Sequence, residues 1–92
     1  MSDTSVECAP AGDGWLAHVT IADRGSSRTF EVSVSRAELE RFARGDDEPT
    51  DLVRRSFEFL LARESKESIL PRFELSTIGR YFPDFERTIT RR

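Results

Sequence analysis

Apolar and polar residues alternate along two stretches of the N-terminal half, and this period-two pattern predicts two β-strands. Every second residue is apolar between Trp15 and Ile21, and again between Phe30 and Val34. A two-residue loop at Arg24-Gly25 would place apolar residues opposite each other in three pairs, Val19 with Phe30, Ala17 with Val32 and Trp15 with Val34. We therefore predict an antiparallel hairpin over residues 15–35. A longer bulged loop is the alternative, because Arg24 is poorly suited to the positive φ of a type I′ turn.

Helical signals follow the hairpin. Ser35 and Glu38 have the spacing of a capping box, which predicts a helix over about residues 36–44, with Gly45 placed to end it. After an acidic loop, Thr50 is the expected N-cap of a second helix, over about residues 51–64.

The second helix carries a wide apolar surface. At about 100° per residue, its apolar and small side chains sweep an arc of roughly 200°. They are Leu52, Val53, Ser56, Phe57, Phe59, Leu60 and Leu61. Because a helix that covers one surface needs an arc of only about 100°, we expect this helix to be buried on two sides. The hairpin would cover one side, and the C-terminal segment or a second subunit would cover the other.

The C-terminal segment repeats apolar residues at intervals of three and four, which is the spacing of one continuous stripe on a helix. The stripe consists of Leu75, Ile78, Phe82, Phe85 and Ile89. Aromatic residues beside arginines could form a stacking surface for nucleic acid, but their position on the stripe assigns Phe82 and Phe85 to the core. Pro83 predicts a break, so we expect two helices, over about residues 76–82, with Ser76 as N-cap, and about residues 84–90.

These elements predict one α+β domain over residues 15–92, in which an N-terminal antiparallel β-hairpin packs against a layer of three to four helices. Residues 1–14 are mostly small and polar, and we expect a flexible tail there. The connector of residues 65–73 contains Pro71, and its apolar residues Ile69, Leu70 and Phe73 are expected to hold it against the core.

Composition narrows the classes of function. The chain has 92 residues, a net charge of −3 and a single cysteine, Cys8, so we expect neither an intrachain disulfide nor a thiolate metal cage. The negative charge argues against a general nucleic-acid or anionic-membrane binder. The sequence has no leader-like start and no apolar run of about 18 residues, and we expect a cytoplasmic protein that does not enter a membrane.

Candidates for chemistry are few. His18 is the only histidine, and it lies on the strand face opposite the apolar pairs, where a solvent-facing histidine is more common than a catalytic base. The acidic cluster Asp46, Asp47, Glu48 and Asp51 could bind a hard cation, but acids in a helix-connecting loop are usually solvated. We therefore expect no enzyme activity, no cofactor, no metal site and no small-molecule substrate.

The C-terminal half of the chain resembles short uncharacterised bacterial proteins. The matching residues are Ser56-Phe57-x-Phe59-Leu60-Leu61, Glu67-Ser68-Ile69-Leu70, Phe73-x-Leu75-Ser76 and Tyr81-Phe82-Pro83. The resemblance supports the predicted fold and implies no mechanism.

Residues 28–64, which read as strand, capped helix, loop and helix, resemble ribbon-helix-helix repressors and antitoxins. The resemblance implies a dimer that places a ribbon of paired strands in the major groove, with Thr29, Glu31 and Ser33 facing the bases. Two features depart from that pattern: Glu31 is acidic where a basic ribbon is usual, and the strand already has a partner in the hairpin. A DNA-binding regulator or antitoxin is therefore the alternative function.

The leading prediction is a small, non-catalytic protein-interaction module or adaptor that self-associates. Its grounds are the wide apolar arc and the free edges of the hairpin, which a partner protein or a second copy could cover. The candidate partner-facing residues are Tyr81, which lies off the C-terminal stripe, its neighbour Arg80, and Phe59 and Leu61 at the margins of the arc. Arg80 is also spaced to form an ion pair with Asp84.

Overall fold

A four-stranded sheet forms one layer of the molecule. The computed structural model describes residues 3–90. The strands are β1 Asp3–Ala11, β2 Gly14–Asp23, β3 Ser26–Val34 and β4 Arg72–Glu74, and they lie side by side in that order. The first three strands form an antiparallel meander, whereas β4 runs parallel to β3.

β2 and β3 form the predicted hairpin in the predicted register. The three apolar pairs are Val19 with Phe30, Ala17 with Val32 and Trp15 with Val34. The loop has two residues with positive φ, 53° at Arg24 and 79° at Gly25, so the bulged alternative is wrong. Arg24 adopts the left-handed conformation in spite of its Cβ, because this turn type matches the twist of the two strands.

The N-terminal segment was expected to be a flexible tail, and this expectation is wrong: residues 3–11 are the edge strand β1. Val6 pairs with Val19 and Cys8 with Ala17, so the strand extends the apolar face of the hairpin. Gly12, with a φ of 62°, allows a two-residue turn into β2. The strand could not be identified from its composition, because only alternate residues contact the core and most of the others are polar. The first two residues of the predicted tail lie outside the described residues.

The first helix, α1, covers Arg36–Phe42 and starts at the predicted capping box. The Ser35 hydroxyl accepts a hydrogen bond from the Glu38 amide at 3.0 Å, and the Glu38 carboxylate accepts one from the Ser35 amide at 2.7 Å. The helix ends before the predicted Arg44, because Ala43 is already extended, with a ψ of 156°.

The second helix, α2, covers Pro49–Leu61 rather than residues 51–64. Its N-cap is Glu48 and not the predicted Thr50, and the Asp51 carboxylate accepts a hydrogen bond from the Glu48 amide at 3.0 Å. Pro49 fits the first turn, where its fixed φ suits the helix and an amide hydrogen is not needed. The prediction placed Pro49 in the acidic loop, and the predicted helix therefore began two residues later than the observed one.

α2 is buried on two sides, as its wide apolar arc predicts. On the sheet side, the Phe57 ring lies 5.3 Å from the Phe30 ring, measured between centroids. On the other side, Phe59 packs edge-on against Phe85 at 5.2 Å. The second cover is therefore the C-terminal segment of the same chain.

The C-terminal segment breaks where Pro83 predicts. A 3-10 turn at Leu75–Thr77 leads into the short helix α3, Ile78–Tyr81, and α4 covers Phe85–Thr90. Phe82 between them is extended, with φ −130° and ψ 91°, because a following proline disfavours helical geometry. Ser76 is not the predicted N-cap: it lies inside the 3-10 turn, and its amide donates a hydrogen bond to Glu38 at 2.8 Å.

The helices cover one face of the sheet, which makes the fold α+β, and the core lies between the two layers. Four residues of the C-terminal stripe are buried in this core, and Phe82 packs against it half-buried; the four are Leu75, Ile78, Phe85 and Ile89. The opposite face of the sheet carries exposed polar residues, among them His18, Thr20 and Thr29.

Candidate partner-binding groove

An apolar groove opens between the end of α2, the connector that follows it, and α3. Its volume is about 400 Å³, within the range of about 300–1,000 Å³ that is typical of ligand pockets. The lining residues are Leu60, Glu64, Ser68, Ile69, Leu70, Phe73, Thr77, Tyr81 and Phe82.

The floor of the groove consists of side chains that also belong to the core. Leu60 and Ile69 are each 3% exposed, and Phe73 and Phe82 pack half-buried against the core. Because close packing fixes the positions of core side chains, the groove is a preformed concavity.

Two large apolar side chains stand on its rim. Leu70 is 49% exposed and Tyr81 is 68% exposed, and no other large hydrophobic residue among residues 3–90 is exposed. Single apolar residues are common on protein surfaces, but a contiguous apolar patch marks an interaction site. Tyrosine is also among the residues that contribute most to binding at protein interfaces.

Local structure holds the two rim residues in place. Leu70 precedes Pro71, whose carbonyl accepts a hydrogen bond from the Glu31 amide at 2.9 Å and so attaches the connector to β3. Proline also keeps the residue before it in extended geometry. Tyr81 is the last residue of α3, which ends because Phe82 is extended.

Glu64 is the one charged residue in the lining, and no ion pair joins it to any of residues 3–90. The neighbouring Arg63 is engaged elsewhere: its guanidinium donates to Asp84 Oδ2 at 3.0 Å and stacks 3.7 Å from the centroid of the Phe59 ring. A carboxylate that has no ion pair among the described residues and lies beside apolar surface favours a ligand that carries a positive charge next to its apolar part.

Of the predicted partner-facing residues, Tyr81 is the one that lines the groove. Arg80 beside it is exposed and is not among the residues that line the groove. The predicted pair between Arg80 and Asp84 is replaced by a pair between Arg63 and Asp84, because Pro83 and the extended Phe82 interrupt the helix that the spacing assumed.

The expectation that Phe59 faces a partner is wrong. Its side chain is 4% exposed, because the rings of Phe82 and Phe85 from the same chain cover it. Leu61 is half-buried and packs against the core.

Sequence reasoning missed Leu70 and Glu64 as site residues. Of the three connector residues expected to hold it against the core, Ile69 is buried and Phe73 half-buried, but Leu70 is exposed. The sequence does offer one indication: Leu70 lies directly before a proline in a loop, so it belongs to no apolar stripe of a helix or strand that would bury it.

His18 and Asp47, two of the residues that the sequence offers for chemistry, lie beside other polar side chains. His18 Nε2 lies 3.5 Å from Glu31 Oε2, and Arg72 Nε lies 3.0 Å from Glu31 Oε1, on the open face of the sheet. In the acidic loop, Asp47 Oδ2 lies 2.6 Å from Arg55 Nη1. Across residues 3–90, no group of three or more His, Cys, Asp or Glu side chains is placed to hold a metal ion.

The strand that the ribbon-helix-helix resemblance would place in DNA lies inside the sheet. β3 has β2 on one side and β4 on the other, whereas a ribbon-helix-helix dimer pairs this strand with its own copy. Glu31 at its centre is also engaged by His18 and Arg72. The strand edges on which that resemblance depends are therefore occupied within the chain.

Comparison of the chain with protein-family models, with curated proteins and with solved structures finds no match in any of the three. Within the part of the chain that the structure describes, no helix combines the length and the apolar character needed to cross a membrane. Function is therefore inferred from the geometry and chemistry of the groove.

Proposed function

We propose that this protein is a small, non-catalytic protein-interaction module that binds a short segment of a partner polypeptide in the apolar groove. The observation that carries the proposal is that Leu70 and Tyr81, the two exposed large hydrophobic residues among residues 3–90, flank the same concavity. Protein interfaces take most of their affinity from a few large side chains that fill well-packed pockets.

The shape of the groove favours one large anchor side chain on the partner. A volume of about 400 Å³ accommodates a leucine or phenylalanine side chain, and Leu60, Ile69 and Phe73 offer it an apolar floor. Burying such a side chain contributes about 1.5–3 kcal/mol. Leu70 and Tyr81 on the rim would then exclude water from the filled pocket.

Glu64 adds a preference for positive charge. We expect the partner segment to carry a lysine or arginine close to its apolar anchor, because the Glu64 carboxylate has no ion pair among the described residues. A partly exposed ion pair contributes only about 0–1 kcal/mol. Its main effect is therefore on specificity and on the orientation of the bound segment.

Selection from a random-peptide display library tests the proposal. We expect the enriched peptides to share a large apolar residue with a lysine or arginine nearby. One enriched peptide, labelled with a fluorophore, is then titrated with the wild type and two variants while its anisotropy is followed. Tyr81→Ala should raise Kd by about 30-fold or more, as is typical of a central interface residue.

Arg80→Ala is the matched control, because Arg80 is exposed beside Tyr81 but does not line the groove. It should change Kd by less than about two-fold. Glu64→Gln should weaken binding and flatten its dependence on salt concentration. If the enriched peptides bound Tyr81→Ala as tightly as the wild type, with an unchanged circular-dichroism spectrum, the groove would not be the binding surface and the proposal would be refuted.

A further inference from the structure

We infer that the partner segment binds as an extended strand antiparallel to β4, with its apolar anchor opposite Phe73 and directed into the groove. The inference rests on the proposed function and adds the conformation, direction and register of the bound segment. β4 is the last strand of the sheet, and Phe73 at its centre lines the groove. An edge strand offers unpaired backbone groups to an extended peptide, and a pocket beside it selects the peptide's side chains.

The pairing of β4 with β3 identifies the backbone groups on the outer edge. The Glu31 amide donates to the Pro71 carbonyl at 2.9 Å, and Arg72 lies beside Glu31 in the parallel pair. Because alternate residues bond to the neighbouring strand, Pro71 and Phe73 bond to β3, and the backbone groups of Arg72 and Glu74 point outward. The hydrogen that Pro71 lacks would have faced β3, so the proline does not interrupt the outer edge.

This outer edge is open. The Arg72 side chain is 81% exposed, and Glu74 is also exposed. Among residues 3–90, β4 has β3 as its one neighbouring strand, and no hydrogen bond from another segment reaches the Arg72 amide, the Arg72 carbonyl or the Glu74 amide. The edge therefore offers two amides and a carbonyl to an incoming strand.

The groove lies on the side of β4 to which an anchor would point. The Phe73 ring faces the helices, 6.0 Å from the Phe57 ring between centroids. Directly opposite residues of two paired strands point to the same face, so the partner residue opposite Phe73 also points to the helices. Its Cα lies about 4.5 Å from that of Phe73, since the pair falls between two hydrogen-bonded ones. The anchor then lies between Phe73 and Tyr81, which both line the groove.

The antiparallel direction is the one we infer, because antiparallel pairing is slightly more stable per residue than parallel pairing. In this direction the partner residue directly before the anchor lies opposite Glu74. The Glu74 carboxylate has no ion pair among residues 3–90, and opposite charges that face each other across a strand pair are favourable. We therefore expect a lysine or arginine directly before the anchor, in addition to the positive charge expected beside Glu64.

N-methylation of the selected fluorescent peptide tests the strand pairing. A methyl group on the amide of the residue after the anchor removes its hydrogen bond to the Arg72 carbonyl, so Kd should rise about ten-fold or more. A methyl group on the anchor's own amide is the matched control, because that amide points away from β4, and Kd should change by less than about three-fold. The reverse order would show a parallel strand, and equal Kd values for the two methylated peptides would show that the backbone does not pair with β4. Either result would overturn the inference.

A charge exchange tests the register. For a peptide with lysine directly before the anchor, Glu74→Arg should raise Kd by about two- to five-fold, and replacing that lysine by glutamate should restore the affinity. Glu40→Arg makes the same charge change at an exposed position on α1 and should leave both peptides unaffected. A Glu74→Arg variant that binds both peptides as the wild type does would contradict the register.

Tyr81→Ala separates this inference from the proposed function. If Tyr81→Ala weakens binding while the position of the methyl group makes no difference, the groove binds the peptide and the strand pairing alone is refuted. If a folded Tyr81→Ala variant binds the peptide as tightly as the wild type, the groove is not the binding surface, and the proposed function fails together with the inference.

Discussion

Gly14→Ala should destabilise this fold through a steric conflict between backbone segments. Gly14 is the first residue of β2 and is buried. A Cβ at this position would overlap the Val34 carbonyl oxygen and lie 2.9 Å from Ser35 Cα. Both obstacles are backbone atoms, so no side-chain rotation relieves the overlap, and the end of β3 must move away from β2.

The magnitude follows from the kind of obstacle. Overpacking a buried site costs about 1–3 kcal/mol, and a rigid backbone places Gly14→Ala in the upper part of that range. For a domain of this size, each kcal/mol lowers Tm by about 4–8 °C. We therefore expect Tm to fall by about 10–20 °C. A chain of 92 residues has a free energy of unfolding of about 5–14 kcal/mol, so the variant still folds.

Thermal melts followed by circular dichroism measure the effect, and fluorescence of the single tryptophan, Trp15, reports on the same strand end. Gly79→Ala is the matched control. A Cβ at Gly79 meets nothing within 4 Å, and alanine is favoured over glycine in a helix by about 0.5–1 kcal/mol, so its Tm should stay level or rise. A Gly14→Ala variant that melts with the wild type would refute the close approach of β2 to the junction of β3 and α1.

Three further perturbations probe the core, an ion pair and a thiol. Phe57→Ala should lower the free energy of unfolding by about 3–5 kcal/mol, because the ring is fully buried against Phe30; a urea titration that found less than about 1 kcal/mol would contradict its central position. Asp47→Ala should cost about 1–3 kcal/mol by leaving the largely buried Arg55 unpaired, and a denaturation curve equal to that of the wild type would speak against this pair. Burial raises the pKa of the Cys8 thiol, so at mildly alkaline pH iodoacetamide should modify it more slowly in the folded than in the unfolded chain. Because the thiol has a higher pKa in the folded chain than in the unfolded chain, its contribution to the free energy of unfolding is present below the ordinary thiol pKa of about 8.5 and is lost as the pH rises above that value. Equal alkylation rates in the folded and unfolded chains would contradict the raised pKa of Cys8.

The hairpin, the first helix and the C-terminal break follow from the sequence because their signals are local. Alternation and a two-residue turn determine the pairing of Val19 with Phe30. Ser35 and Glu38 are close enough in sequence to cap a helix without help from the rest of the chain. The wide arc of α2 predicted burial on two sides, although it did not identify the C-terminal segment as the second cover.

β1 and the groove depend on contacts that the pattern of residues does not encode. β1 is polar on one face and carries small residues on the other, so it is a strand only because β2 lies beside it. The exposure of Leu70 arises because the connector returns to β3 through the hydrogen bond from Glu31 to Pro71. Tyr81 could be identified from the sequence, because it lies off the apolar stripe of its helix.

The most direct test of the proposed groove is a map of amide chemical shifts for the ¹⁵N-labelled protein with and without a saturating enriched peptide. The proposal predicts that the largest changes fall on Glu64, on Ile69 and Leu70, and on the end of α3 at Tyr81. Thr20 and Thr29 on the open face of the sheet should change little. Changes concentrated on that face, or along β1, with none around the groove, would contradict the account.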